Sequence, residues 1–149
     1  MISESIFIQQ KITTVFTTLA NLNNWQKILP DILSIQVLYE DSYHQEFLLT
    51  VQFPLVVEKI RIISFCFPNS RLEMFQPKPP SGFKKVTDIW AFDEWEKGTR
   101  VSVERRFELI TPSTTTNKEA EVKLRGSLSK DLSLIKASLE ADEIKLYAK

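Results

Sequence analysis

The hydrophobic period of this chain changes twice, and the changes divide it into three parts. Ile6 and Ile8 share one side of an extended start at Ile2 to Ile8, with Phe7 on the other side, which predicts a short strand. Val15, Phe16 and Leu19 then recur at helical spacing. Asn21 to Asn24 interrupts them, and Trp25, Ile28 and Leu29 make a second stripe stopped by Pro30, so two short helices are expected. From residue 32 the period becomes two. Leu33 to Tyr39, Phe47 to Phe53, Leu55 to Phe67, Arg71 to Gln76, Phe83 to Glu94 and Thr99 to Leu109 read as strands joined by short turns, an antiparallel meander. The proline-rich stretch from Pro77 to Gly82 is expected to stay outside any ladder as a loop, with Ser81-Gly82 as a hinge that could gate a pocket. The residues Trp95-Glu96-Lys97-Gly98 are expected to form a hairpin loop with Trp95 exposed or in a contact.

The last third returns to helical spacing. After a polar linker from Thr111 to Asn117, Thr116 and Glu119 are spaced as a capping box. Leu124, Leu128, Leu132, Ile135 and Leu139 then form one continuous apolar stripe. Gly126 inside this helix is unfavourable by roughly 1 kcal/mol against Ala, which suggests a bend or a close approach there. An amphipathic helix of this length needs a broad apolar partner, and one curved sheet supplies it. The expected fold is α+β: a curved antiparallel sheet of about seven strands wrapped on a long C-terminal helix, with an apolar pocket between them.

Strand parity names the residues facing that pocket. If Glu94 opposes Thr99, then Trp90 meets Val103, Phe92 meets Val101, Asp88 meets Arg105 and Val86 meets Phe107, all on the inner face. Arg100, Ser102, Glu104, Arg106 and Glu108 then face solvent. If Phe53 opposes Val56, Phe47 and Leu49 face inward opposite Ile62 and Ile60, Ser64 and Cys66 follow, and Lys59 and Arg61 point out. A slip around the unusual Pro54-Leu55 turn would instead bring Arg61 inside. Met74 and Gln76 are expected on the next strand, Tyr39 is the phenol placed toward the pocket, and Leu128, Leu132 and Ile135 close it from the helix. Trp25 is expected to plug the short helices onto the sheet. An inward carboxylate opposite an inward guanidinium fits two roles: a structural ion pair, or an arginine anchor for a ligand carbonyl or carboxylate held in place by Asp88.

Composition removes other chemistries. Lys+Arg and Asp+Glu number 19 each, with no basic stripe, so no nucleic-acid partner is expected. Cys66 and His44 are the only residues of their kinds, which excludes an intrachain disulfide and any site needing two histidines, so no metal or cofactor is expected. His44 is placed on the solvent side. No apolar run approaches the ~20 residues of a membrane span, and no secretory leader pattern opens the chain; the expected location is cytoplasmic.

The order of elements, together with Ser3-Glu-Ser-Ile-Phe-Ile8, Val15-Phe16, Trp25-Gln-Lys-Ile-Leu-Pro30, Trp90-Ala-Phe92, Gly98-Thr-Arg-Val101 and Leu134-Ile-Lys136, resembles the START-like (helix-grip, SRPBCC) superfamily. The likeness is greatest to its polyketide cyclase/dehydrase and coenzyme-Q-binding-protein-like branch. It implies a single such domain over residues 1–149 that binds a small hydrophobic or amphipathic ligand: a lipid, isoprenoid, quinone or polyketide-like molecule. It also implies an alternative, a cyclase-type enzyme with Arg105 or Arg61 polarising a carbonyl and Tyr39 or Asp88 moving a proton. A protein-interaction helper is a further alternative. The sequence assigns neither a catalytic residue nor an oligomeric state.

Overall fold

The structure, a computed structural model, describes residues 1–141. In chain order the elements are β1 (Ile2–Ile8), α1 (Ile12–Ala20), a 3-10 turn (Leu22–Asn24), α2 (Trp25–Ile28), β2 (Ile32–Glu40), β3 (His44–Gln52), β4 (Val57–Phe67), β5 (Arg71–Lys78), β6 (Phe83–Trp95), β7 (Gly98–Leu109) and α3 (Asn117–Glu140). The strands form one seven-stranded antiparallel sheet in the order β1-β7-β6-β5-β4-β3-β2, so every hairpin of the meander is present and β1 closes the far edge on β7. This is the expected α+β arrangement.

Both registers argued from parity are observed. Trp90 opposes Val103, Phe92 opposes Val101, Asp88 opposes Arg105 and Val86 opposes Phe107. Phe47 opposes Ile62 and Leu49 opposes Ile60, with the Phe53 amide donating to the Val56 carbonyl across the tight turn. Arg61 therefore points out, where its Nη2 donates to Glu46 Oε1 at 3.0 Å.

The core lies between the inner sheet face and α3. Phe47, Leu72, Val101 and Val103 from the sheet are buried with Leu128, Leu132, Ile135 and Leu139 from the helix. α1 and α2 plug one end: Phe16 meets the Phe92 ring edge-on at 5.3 Å, and Trp25 meets Phe47 edge-on at 5.8 Å while donating its indole N–H to the Leu19 carbonyl. α3 begins with the capping box, the Thr116 hydroxyl accepting from the Glu119 amide and Glu119 reaching back to the Thr116 amide.

Four local expectations change. Pro77 and Lys78 belong to β5, because Arg61 pairs with Lys78 and Ile63 with Phe75; Gln76 and Pro77 thus both lie against Ile62 in a β-bulge, where a proline is tolerated. The loop shrinks to residues 79–82, with Gly82 at φ +93. The β6–β7 hairpin is tighter than expected, since Trp95 pairs with Gly98 and only Glu96-Lys97 form the turn, Glu96 in the left-handed region at φ 52. Gly126 makes no close approach, since a Cβ there would meet nothing within 4 Å.

Candidate ligand site

The inner sheet face carries one polar row across apolar surroundings. Gln45 lies opposite Ser64, Ser64 opposite Met74, Met74 opposite Asp88, and Asp88 opposite Arg105. The concave wall beside this row is apolar: Phe47, Trp90, Phe92 and Val103 are buried, and Phe107 is partly buried toward one end. Leu128, Leu132 and Ile135 of α3 cover it. These residues stand on the side that the sequence assigns to them.

Asp88 and Arg105 form a two-pronged pair, Nε donating to Oδ1 and Nη2 to Oδ2, each at 2.8 Å. The carboxylate is 5% exposed and the guanidinium 14%, so both charges are largely out of water. Trp90 Nε1 adds a longer contact, 3.3 Å, to Asp88 Oδ2. Burial disfavours the guanidinium charge, but the adjacent Asp88 carboxylate outweighs it, and the arginine is held above its ordinary pKa.

A third charge comes from the helix. Asp131 sits one turn from Leu128 and Ile135, on the flank of the apolar stripe, within the field of Arg105. Burial raises its pKa to about 6 against the opposing pull of Arg105, with Asp31 adding to the rise and Lys130 opposing it. With Asp131 ionised the trio carries one net negative charge; with it protonated the trio is neutral. Sequence reasoning passed over Asp131 because charge on an amphipathic helix reads as solvated face. Its spacing of seven from Leu124 and four from Ile135 was the available signal.

Two polar atoms on this face have no hydrogen-bond partner among the described residues: Ser64 Oγ, on a residue only 1% exposed, and Gln76 Oε1, which the bulge in β5 carries. Gln45, by contrast, is satisfied, its amide donating to the Ala20 carbonyl and to Glu40 Oε2.

Tyr39 does not line the pocket. A register shift between Val37 and Tyr39 reverses side-chain parity at the end of β2, leaving the ring 48% exposed with its hydroxyl donating to Asp41 Oδ2 at 2.6 Å. His44 is on the convex side, its ring lying between those of Tyr39 and Phe65 and its Nε2 3.1 Å from Glu46.

Burial along the inner face is graded. At the α1 end Ile8, Val101 and Phe92 are sealed, whereas Phe53, Phe83, Phe107 and Leu109 at the other end are only partly covered. A groove of about 370 Å³ opens there, lined by Phe107, Leu109, Ile110 and the linker residues Thr111, Ser113 and Thr115. Beside this end Glu58, inward by parity, ties down the proline loop: its Oε1 accepts from the Ser81 amide at 2.9 Å and the Ser81 hydroxyl at 2.6 Å. Among the described residues no helix is long and apolar enough to cross a membrane, and no group of His, Cys, Asp and Glu side chains is arranged to hold a metal ion.

No protein-family model and no curated protein sequence matches the chain. Solved structures do. The di-domain ARO/CYC StfQ from the steffimycin biosynthetic pathway superposes with a TM-score of 0.79 at 19% identity over 91% of this chain, and this chain spans only 49% of that one. The Zhui aromatase/cyclase from a Streptomyces species gives 0.76 at 12% identity, covering 93% of this chain and 92% of that one. A START superfamily protein from Mycobacterium smegmatis gives 0.79 at 13% identity, covering 93% and 96%. At these identities it is the backbone architecture that is shared, and in that architecture the chain has the START-like helix-grip fold.

Proposed function

We propose that this chain binds a small, elongated, mainly apolar molecule between the sheet and α3, entering beside the groove at the end of β7. The observation that carries the reading is the polar row, with charged and unpartnered groups buried in an otherwise apolar wall; such walls with few placed polar groups are how small-molecule sites are built. Lipids, isoprenoids, quinones and polyketide-like aromatics fit that description. The charge balance narrows it further. Arg105 already gives two of its five N–H donors to Asp88 and faces Asp131, so the site holds no excess positive charge. A neutral carbonyl or hydroxyl can take a remaining guanidinium N–H, whereas a carboxylate would meet one or two aspartates. The test is a native mass spectrum of the protein purified from its own host, with dye binding in parallel. An apolar, uncharged mass that co-purifies and is displaced by the neutral dye N-phenyl-1-naphthylamine is expected; a protein that carries no mass and binds neither the dye nor biphenyl-4-ol overturns the proposal.

A second reading, a cyclase-type enzyme, is favoured by one feature: Asp131, in the field of Arg105, has its pKa raised by burial to about 6, near enough to neutrality to exchange a proton as a general acid does. Arg61 and Tyr39 lie on the outside and take no part in it. Turnover of a poly-β-ketone analogue, lost in Asp131→Asn with binding retained, is the outcome that selects this reading.

A further inference from the structure

We infer that Ser64 and Gln76 form a second polar subsite, built for a hydroxyl group, and that the ligand is therefore polar at both ends rather than single-headed like a fatty acid. The inference rests on the ligand-binding reading above and deepens it.

Buried polar atoms in folded proteins are nearly all hydrogen-bonded, and one that is not marks a place where a partner belongs. The described inner face holds two, Ser64 Oγ and Gln76 Oε1. They are neighbours by register. Ser64 opposes Met74, and Gln76 follows two residues later on the same strand, inside the bulge where it and Pro77 share Ile62 as their partner. A bulge re-aims a side chain and is a recurrent device beside binding sites. An unbroken ladder would leave residue 77 in register with a β4 partner, and the proline there would have cost a ladder bond.

The chemistry of the two atoms defines what they take. Gln76 Oε1 only accepts, and Ser64 Oγ both accepts and donates. A single hydroxyl satisfies both at once, donating to Gln76 and accepting from Ser64. A carboxylate would find one donor and be repelled by the amide oxygen, since Gln45, Ser64, Met74 and Ile62 in this part of the row carry no positive charge. The charged trio lies two strands away on the same row, from Ser64 through Met74 to Asp88. At the ordinary strand spacing this is roughly 10 Å, about the length of two fused or linked aromatic rings. One end of the ligand thus meets Ser64 and Gln76, the other meets Arg105, and Met74, buried between them, packs against its apolar middle.

The experiment uses biphenyl, biphenyl-4-ol and biphenyl-4,4′-diol as matched probes in calorimetry with the full chain. The diol is expected to bind about tenfold more tightly than the mono-ol, the value of one added neutral hydrogen bond in a buried site. In Ser64→Ala/Gln76→Leu that advantage is expected to fall to about onefold while mono-ol affinity stays within about twofold. Equal binding of diol and mono-ol to the unaltered protein, or an advantage that survives the double substitution, overturns the subsite and leaves the ligand-binding reading standing. Failure of all three probes and of the dye overturns both. The melting temperature of the ligand-free variant is the second readout. Replacing unpartnered polar atoms with apolar ones is expected to leave it unchanged or raised; a clear drop means that these atoms hold structural water instead and overturns the subsite.

Discussion

Removing one partner of the Asp88–Arg105 pair should be far more damaging than removing both. Asp88→Leu leaves a guanidinium that is 14% exposed with only Asp131 to compensate it, and Arg105→Met leaves a carboxylate that is 5% exposed with only the long Trp90 contact. An uncompensated buried charge of this kind costs about 3–5 kcal/mol. Asp131 faces Arg105, so Asp88→Leu should fall at the lower end of that range and Arg105→Met near the upper end. The double variant Asp88→Leu/Arg105→Met replaces two desolvated charges with apolar groups against Trp90 and Val103 and should lie within about 1 kcal/mol of the parent, because the attraction of a buried pair little more than offsets its desolvation. The coupling free energy of the cycle is then about 7 kcal/mol or more in magnitude. Urea unfolding followed by tryptophan fluorescence reads all four proteins, Trp90 reporting directly on the site. Single substitutions that each cost less than about 1 kcal/mol, or effects that simply add, would refute the argument, since both require the pair to be solvated. The double variant, folded but without Arg105, is also the protein in which a carbonyl-bearing ligand should lose affinity if the pair serves binding.

Asp131 supplies a pH prediction whose sign is opposite to that of most carboxylates. Its folded pKa, about 6, lies above the unfolded value near 3.8, so the folded state binds the extra proton and stability is lost as pH rises from about 4 to 6. Asp131→Asn should be more stable than the parent at pH 7 by about 3 kcal/mol, with the difference gone near pH 4; no gain at pH 7 contradicts its burial. The hydrogen-bonded carboxylates Glu4, Asp41, Glu119 and Glu140, all held below their ordinary values, work the other way and at lower pH. Gly98→Ala should lower stability by about 1–3 kcal/mol in thermal melts, because a Cβ would lie 2.5 Å from the Ile8 carbonyl oxygen on the neighbouring strand; an unchanged melting temperature would mean that β1 yields at no cost. Glu58→Ala should speed amide exchange at Ser81 several-fold and leave that of Phe83, bonded to the Pro80 carbonyl, unaltered; equal protection at Ser81 would show that the carboxylate does not hold the loop.

Much of the site was legible because parity is a strong constraint once a single turn is placed. Setting Glu94 against Thr99 fixed Asp88 against Arg105, and setting Phe53 against Val56 put Ser64 inside and Arg61 outside, despite a Pro54-Leu55 turn with no favoured hairpin chemistry. Parity fails where a strand slips by one residue without a marker. The shift at Val37 has no Gly or Pro beside it, and Tyr39 was therefore assigned to the wrong side. Pro77 misled in the opposite sense, reading as a strand end when it marks the bulge that carries Gln76. Asp131 and Glu58 escaped notice for a common reason: a charged residue is read as solvated unless a partner is visible. Their partners, Arg105 and Ser81, lie 26 and 23 residues away on other elements.

Occupation of the site should be coupled to protonation of Asp131, and the direction of that coupling follows from the charges around it. The groups that set its pKa are Arg105 from β7, Asp31 from the segment before β2 and Lys130 on α3 itself, while burial is the largest effect. An apolar ligand displaces water from the same region and deepens the burial without adding charge, so the bound state should favour the protonated carboxyl more strongly than the free state does. Linkage then requires affinity for a neutral ligand to rise as pH falls through about 6, with a proton taken up on binding. Each further unit by which the ligand raises the pKa corresponds to about a tenfold gain in affinity across the transition. Calorimetry of biphenyl-4-ol, which keeps one charge state over this range, in buffers of different ionisation enthalpy measures both the affinity and the proton count. Asp131→Asn should abolish the uptake and bind at pH 7 about as tightly as the parent does at pH 5. Affinity that rises with pH, or proton uptake that persists in Asp131→Asn, would mean that the ligand does not sit beside this carboxyl, and with it the placement of one ligand end at Arg105 would fall.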